Sequence, residues 1–438
     1  MKQIKKAIKS YYQRKLGTEK IIPGQDMIPA SGKVFDEQEL TCGVEAVLDG
    51  WWTEGRFSRR FEKRLCQLLK VKNCILVNSG SSANLLAVSA LKSLRLGKRR
   101  LVNADEVITT AVNFPTTVNP LIINNLVPVF VDVNLGDYNA DIGQIKKAVS
   151  KKTKAIILAH TLGNPFNIDK VIKICKKYNL WLIEDNCDGL GSSYKNKLTG
   201  SFGHLSTLSF YPAHQITTGE GGAVLTNNSC LDKVVRSLRD WGRDCWCKTG
   251  QNNACKKRFS WKLGDLPYGF DHKYIYSELG FNLKITDMQA AIGLAQLEKV
   301  KNFIKKRQEN FSYLYGKLRD LEKYFILPKW DKNSQPAWFG FPLTIRKESK
   351  IKRRRLLGFL YDKKIDSRML FGGNLLKQPY FKNGQFKYKK IDNLKNSDLV
   401  MKNSFWLGVY SGLEEKHFDY MVKTIKQFLA LRNEEKGF

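Results

Sequence analysis

The sequence predicts an α/β protein: a large domain built on a mostly parallel, buried sheet, then a smaller domain of mixed helix and strand. Two observations predict it. Through the middle of the chain, short apolar runs alternate with helical periodicity, the pattern of strand–helix–strand units. After Asn282 the alternation gives way to a long helical run and then to aromatic, basic and mixed text. Strands linked through helices form a sheet covered on both faces, with ligands at the carboxyl ends of the strands.

The elements follow in order. Cys74–Val77 reads as a strand leading into a helix whose apolar positions include Leu85, Leu86, Val88 and Leu91. Val127–Val133 and Ala155–Ala159 are strands, Asp169–Tyr178 a helix, and Leu180–Ile183, Leu205–Phe210 and Ala223–Thr226 strands again. Thr286-x-x-Gln289 is a capping box that opens a helix through about Lys306. The division expected is 1–34 as a basic arm or helix, 35–300 as the large domain and 301–438 as the small one.

Lys plus Arg number 74 against 41 Asp plus Glu, a formal charge of +33. The basic residues cluster at Lys2–Lys20, Lys92–Arg100 and Arg346–Arg355, without a helix-turn-helix, zinc-finger or RNP pattern. Such runs are read as solvated surface, with an anionic small molecule or an acidic protein partner as ligand rather than nucleic acid. No run approaches the ~18 to 20 apolar residues of a membrane span, and the basic N-terminus lacks the apolar core of a secretory signal. Nine cysteines, an odd number, read as cytoplasmic thiols or a metal site rather than a disulfide framework.

Three motifs could carry chemistry. NSGSSAN follows the first strand, where free N–H groups of a helix N-terminus and Ser hydroxyls can hold a phosphate; alone it also reads as an ordinary capped helix. LWLIEDNCDGLGSSY puts Asp185 at the end of an apolar strand, as a partner for a protonated pyridine nitrogen or simply a loop or cap residue. LSTLSFYPAHQITTGEGGAVLTN places His214 after a strand and before a Gly-rich turn.

The three in this order resemble the pyridoxal-phosphate sugar aminotransferases of the DegT/StrS family, with the aspartate aminotransferase fold. The resemblance runs from about Pro29 to the C-terminus and includes TTAVNFPTTVNP, HTLGNPFNID and GFNLKITDMQAAIGLAQLEKV. It implies that Phe114 stacks on the cofactor ring, and that Gly80, Ser81, Ser82 and Ser209 hold its phosphate. It also implies that Asp185 meets the pyridine nitrogen and Asp188 lies near the ring hydroxyl. Asn282 would reach the phosphate in a neighbouring subunit, hence a homodimer with shared sites.

One departure decides the function expected. Where the aminotransferases carry the Lys that binds the cofactor covalently, this chain has His214, with no Lys from Leu198 to Asp232. Imidazole cannot replace that bond but can take a proton. A His there marks the family's sugar 3-dehydrases, which use pyridoxamine 5'-phosphate to expel the C3 hydroxyl of a nucleotide-linked 4-keto-6-deoxyhexose.

Cys245-x-Cys247 with Cys255 is by itself a metal signal that zinc would also satisfy. With Cys187 it resembles the ligand set of the iron–sulfur branch, which acts on CDP-linked sugars in 3,6-dideoxyhexose and O-antigen biosynthesis. That resemblance implies a 2Fe–2S cluster in an insertion near 240–275, fed by a separate NADH-dependent flavin/Fe–S reductase. The other five cysteines (Cys42, Cys66, Cys74, Cys175, Cys230) read as buried core thiols. Two alternatives stay open: a dehydratase without the cluster that releases product by hydrolysis, and a basic non-catalytic scaffold on the same fold.

Overall fold

The computed structural model describes residues 1–17 and 20–434; Thr18, Glu19 and 435–438, within the expected arm and small domain, lie outside the described residues. The strands in chain order are Asn73–Val77 (β1), Glu106–Thr110 (β2), Val127–Val131 (β3), Thr153–Ala159 (β4) and Trp181–Asp185 (β5). A short hairpin, Ser193–Tyr194 (β6) and Lys197–Leu198 (β7), precedes Leu205–Ser209 (β8) and Gly222–Thr226 (β9). All but the hairpin join one sheet ordered β1-β9-β8-β5-β4-β2-β3, with Lys389–Lys390 beyond β3. Pairings from β8 across to β3 are parallel, and β9 alone runs against its neighbours β1 and β8. The carboxyl ends of β1, β8, β5, β4 and β2 therefore share one edge.

The sequence reading passes over β2. Its residues, EVITT, look polar, yet all five are buried. Glu106 survives there because Ser150 Oγ donates to its carboxylate at 2.6 Å and Lys389 pairs with it.

Alternation along the strands builds the two covered faces. Ile157, Ile183, Leu205 and Val224 pack with residues of helices Gly80–Ala90 and Ser229–Arg239. Ile156, Leu158 and Leu182 face the opposite way, onto helices Ile142–Ala148 and Ile168–Tyr178. Each such Leu or Ile contributes about 1.5 to 3 kcal/mol on burial. Helices Glu37–Leu48 and Arg56–Leu69, also passed over by the sequence reading, pack against the capping-box helix.

That helix runs Asp287–Leu318, a dozen residues beyond the expected Lys306. Both halves of its capping box form. Its second half continues because Phe311, Leu314 and Leu318 enter a separate core with Phe341, Leu343, Leu356, Phe405 and Phe418. This second core lies on an antiparallel sheet of Phe325–Ile326, Gly340–Ile345 and Ser404–Gly408. It recruits Ile28 from the segment expected as an N-terminal arm, through a bond from Ile28 N–H to the Lys364 carbonyl at 2.8 Å. The N-terminal helix Lys2–Lys15 buries none of its residues. No helix among the described residues is long and apolar enough to cross a membrane.

Candidate active site

Where the strand ends converge lies a cavity of about 600 Å³. Gly80, Ser81, Phe114, Asp185, Asp188, Ser209 and His214 all line it, brought from four separate stretches of the chain. Asp185 closes β5 and is buried. Its Oδ2 accepts from Asn84 Nδ2 at 2.9 Å and Thr117 Oγ1 at 2.5 Å, and its Oδ1 from the Cys187 N–H at 3.2 Å. Charge-assisted bonds of this kind hold a carboxylate in one orientation. Neither Asn84 nor Thr117 stands out by sequence: one is a polar residue within a helix, the other one Thr among several.

Ser79 caps the Gly80–Ala90 helix by accepting from the Ser82 N–H at 3.0 Å, and Ser82 Oγ lies 3.0 Å from Ser79 Oγ. Ser82 is thus spent on the cap and does not line the cavity. Gly80 leaves open a cradle that a side chain would fill: a Cβ there would sit 2.6 Å from Ser209 Cβ and 3.1 Å from Cys187 Sγ. Ser81 Oγ bonds Thr116 Oγ1 at 3.0 Å. Phe114, immediately before Pro115 of the next helix, is 52% exposed over the cavity. A helix N-terminus, a buried carboxylate and an open aromatic face together suit a phosphorylated pyridine ring. Asn282 does not line the cavity; its Oδ1 accepts from Lys284 Nζ at 2.7 Å.

The cavity is not where the chain's positive charge gathers. Among its lining residues Arg368 is the one arginine or lysine, against Asp185, Asp188 and Glu220. A phosphate at the Gly80–Ser81 end of this cleft would therefore meet neutral N–H and hydroxyl donors.

His214 stands beside Asp188, Nδ1 to Oδ1 at 3.5 Å, too long for a hydrogen bond. Both His214 Nδ1 and Asp188 Oδ2 are buried without a hydrogen-bond partner among the described residues, open to a ligand. Burial, with the nearby Arg307 charge, pulls His214 down to about 3. Burial, with the Asp185 charge, pushes Asp188 up to about 8. Both shifts favour the uncharged forms, a neutral imidazole beside a protonated carboxyl. Behind them His160 Nε2 lies 3.0 Å from Glu184 Oε2, its ring stacked 4.4 Å from Phe166.

The four cysteines expected as metal ligands are not brought together. Cys187 lines the cavity, its thiol 3.9 Å from Thr207 Oγ1. Cys245 and Cys247 lie in the 240–275 segment, and no residue of that segment lines the cavity. Asp244 holds the segment elsewhere, accepting from His272 Nε2 at 2.8 Å and Ser277 Oγ at 2.9 Å and pairing with Arg95. Among the described residues no three His, Cys, Asp or Glu side chains form a group that could hold a metal. The bystander thiols also differ from expectation: Cys74 and Cys175 are buried, whereas Cys42, Cys66 and Cys230 are half-buried.

Fold and cleft together define a class, and comparison with known proteins places the chain in it. Residues 35–426 match the DegT/DnrJ/EryC1/StrS aminotransferase family, and the chain belongs to that family, with its aminotransferase-type fold. It is 51% identical over 429 residues to the lipopolysaccharide biosynthesis protein RfbH of Salmonella typhimurium, covering 98% of each chain. It is 49% identical over 419 residues to dTDP-4-dehydro-2,6-dideoxy-D-glucose 3-dehydratase of Saccharopolyspora spinosa, covering 96% of this chain and 90% of that one. Among solved structures, Escherichia coli GDP-4-keto-6-deoxy-D-mannose-3-dehydratase with bound hydrated PLP matches at TM-score 0.82 and 29% identity, covering 92% of this chain and 100% of that one.

Proposed function

We propose that the chain is a nucleotide-sugar 3-dehydratase that holds pyridoxamine 5'-phosphate in this cleft and removes the C3 hydroxyl of a nucleotide-linked 4-keto-6-deoxyhexose. One observation carries the reading: a histidine occupies the turn after β8 in a cleft otherwise furnished for the cofactor, so the group available there is a proton acceptor. The names of the 49%-identical relative and of the structural neighbour, both 3-dehydratases, support it. When bound, the cofactor supplies an amine for the sugar's keto group and a ring that withdraws electrons. The chain's own residues do the rest. Gly80, Ser81 and Ser209 would receive the phosphate, Phe114 would lie on the ring and Asp185 would hold the ring N–H. His214, an uncharged imidazole, would take a proton from the cofactor's C4' carbon. Asp188, protonated, would donate to an oxygen beside it.

The finer assignments have their own support. Those two relatives carry dTDP and GDP in their names, and CDP rests on the sequence resemblance. A role in surface polysaccharide synthesis rests on the name of the 51%-identical relative, and a cytoplasmic location on the reading of the nine cysteines as thiols or metal ligands rather than disulfides. A homodimer in which Asn282 completes the partner's site rests on resemblance. The 2Fe–2S centre and its reductase are supported by the resemblance of the set Cys187, Cys245, Cys247 and Cys255, in its spacing, to the iron–sulfur branch. Because the set is not assembled, no step is routed through it.

His214→Asn separates the main reading from its rivals. C4' proton exchange with solvent, read by NMR on pyridoxamine phosphate, should be abolished with the cofactor still bound; unchanged exchange would remove His214 as base. A chain that binds no cofactor but holds DNA or RNA in a salt-sensitive way would be the basic scaffold instead. Anaerobic iron and acid-labile sulfide analysis decides the cluster: about two of each per chain support it, and iron-free protein that dehydrates the sugar leaves the hydrolytic route.

A further inference from the structure

We infer that Arg307 is the positioning residue of the proposed base: its guanidinium holds the backbone of His214 and the aromatic ring against which the imidazole packs. Arg307 lies on the Asp287–Leu318 helix and is 1% exposed. One terminal nitrogen donates to the carbonyls of His214 at 3.0 Å and Ala213 at 3.2 Å. The other donates to the carbonyls of Trp338 and Phe339, each at 3.2 Å. Phe339 in turn packs on the His214 ring, centroids 5.1 Å apart. One planar fork thus sets both the main chain carrying the base and the residue that limits its rotation.

The neighbours reinforce the arrangement. Gln215 Nε2 donates to the carbonyls of Ala337 and Asp188, tying the same turn to the segment that carries Phe339 and to the Asp188 loop. The Phe339 N–H donates to the Leu162 carbonyl at 2.8 Å. A buried cation is costly unless paired, yet among the described residues Arg307 makes no direct ion pair; it spends four bonds on backbone carbonyls instead. Its charge also stands among the causes that keep His214 uncharged. Lys could carry the charge but not the fork.

The role rests on the reading of His214 as base, and the test keeps the two apart. Arg307→Lys and Arg307→Met are compared with the parent in three ways: thermal melting, His214 titration by NMR in the cofactor-free chain, and C4' exchange after loading with pyridoxamine phosphate. Exchange should fall roughly tenfold in R307K and roughly a hundredfold in R307M, within the range a misplaced base costs. The His214 midpoint should rise by about one pH unit in R307M and stay in R307K, because only the first removes the charge. A folded R307M with exchange within twofold of the parent overturns the inference, as does lost exchange in R307M with an unmoved His214 midpoint, which marks a structural prop only. If R307M fails to fold, R307K decides by the same twofold criterion. Unchanged exchange in H214N brings down the base itself and this role with it.

Discussion

Gly80 shows how little room the cleft leaves at its phosphate end. A methyl there would meet Ser209 Cβ at 2.6 Å, well inside contact distance. Gly80→Ala should cost about 1 to 3 kcal/mol of stability by forcing β8 and the helix apart. It should also weaken pyridoxamine phosphate by tenfold or more in a fluorescence titration; parental affinity would show that Gly80 does not border the phosphate. The glycine, the serines and Asp185 are legible in sequence because each ends a recognisable strand or opens a recognisable helix. Asn84 and Thr117 are not, since what makes them important is a carboxylate 101 and 68 residues away. Arg307 escapes for the same reason: a cation on a long helix reads as solvated until its neighbours are known.

Among the elements, the Asp287–Leu318 helix does the most joining. Thr286 caps it in the expected box, and Thr286→Ala should cost about 1 kcal/mol in urea unfolding. Asp287, one residue on, has a different task. Its carboxylate accepts from the N–H groups of Gly55, Phe57 and Ser58 and from Ser58 Oγ, at 2.7 to 3.0 Å. It thereby caps the Arg56–Leu69 helix from outside. Asp287→Ala should cost more than the cap, about 2 to 4 kcal/mol, because buried N–H donors lose their acceptor. Equal losses for the two variants would show that the external cap contributes no more than the Thr286 box. Sequence locates the start of this helix but not its end, because Phe311, Leu314 and Leu318 belong to a different core from the first half.

For the whole molecule, His204 ties acid stability to the packing beneath the sheet. Its Nδ1 accepts from the Leu182 N–H at 3.0 Å, and burial, with the Arg99 charge, pulls it down to about 4. The unfolded chain takes up that proton near pH ~6.5, so stability is fully present above that pH and declines as pH falls toward 4. His204→Gln should narrow the difference between urea midpoints at pH 7 and pH 5. An identical difference in both proteins would show that His204 does not titrate with folding.

The sequence alone determined the strand–helix order, the family resemblance and the lysine-to-histidine change, because these lie in local patterns. Apolar period, caps and turn residues act over a few positions, and a missing lysine is visible without coordinates. Tertiary structure decided what depends on distant segments meeting. It buried polar β2 by pairing Glu106 with Lys389, gave Asp185 its two clamps and put Arg307 behind His214. It also left Cys187 in the cleft while Asp244 anchors the Cys245–Cys247 segment elsewhere. Spacing along a chain constrains which thiols can meet; only the packing of the segments that carry them decides which do.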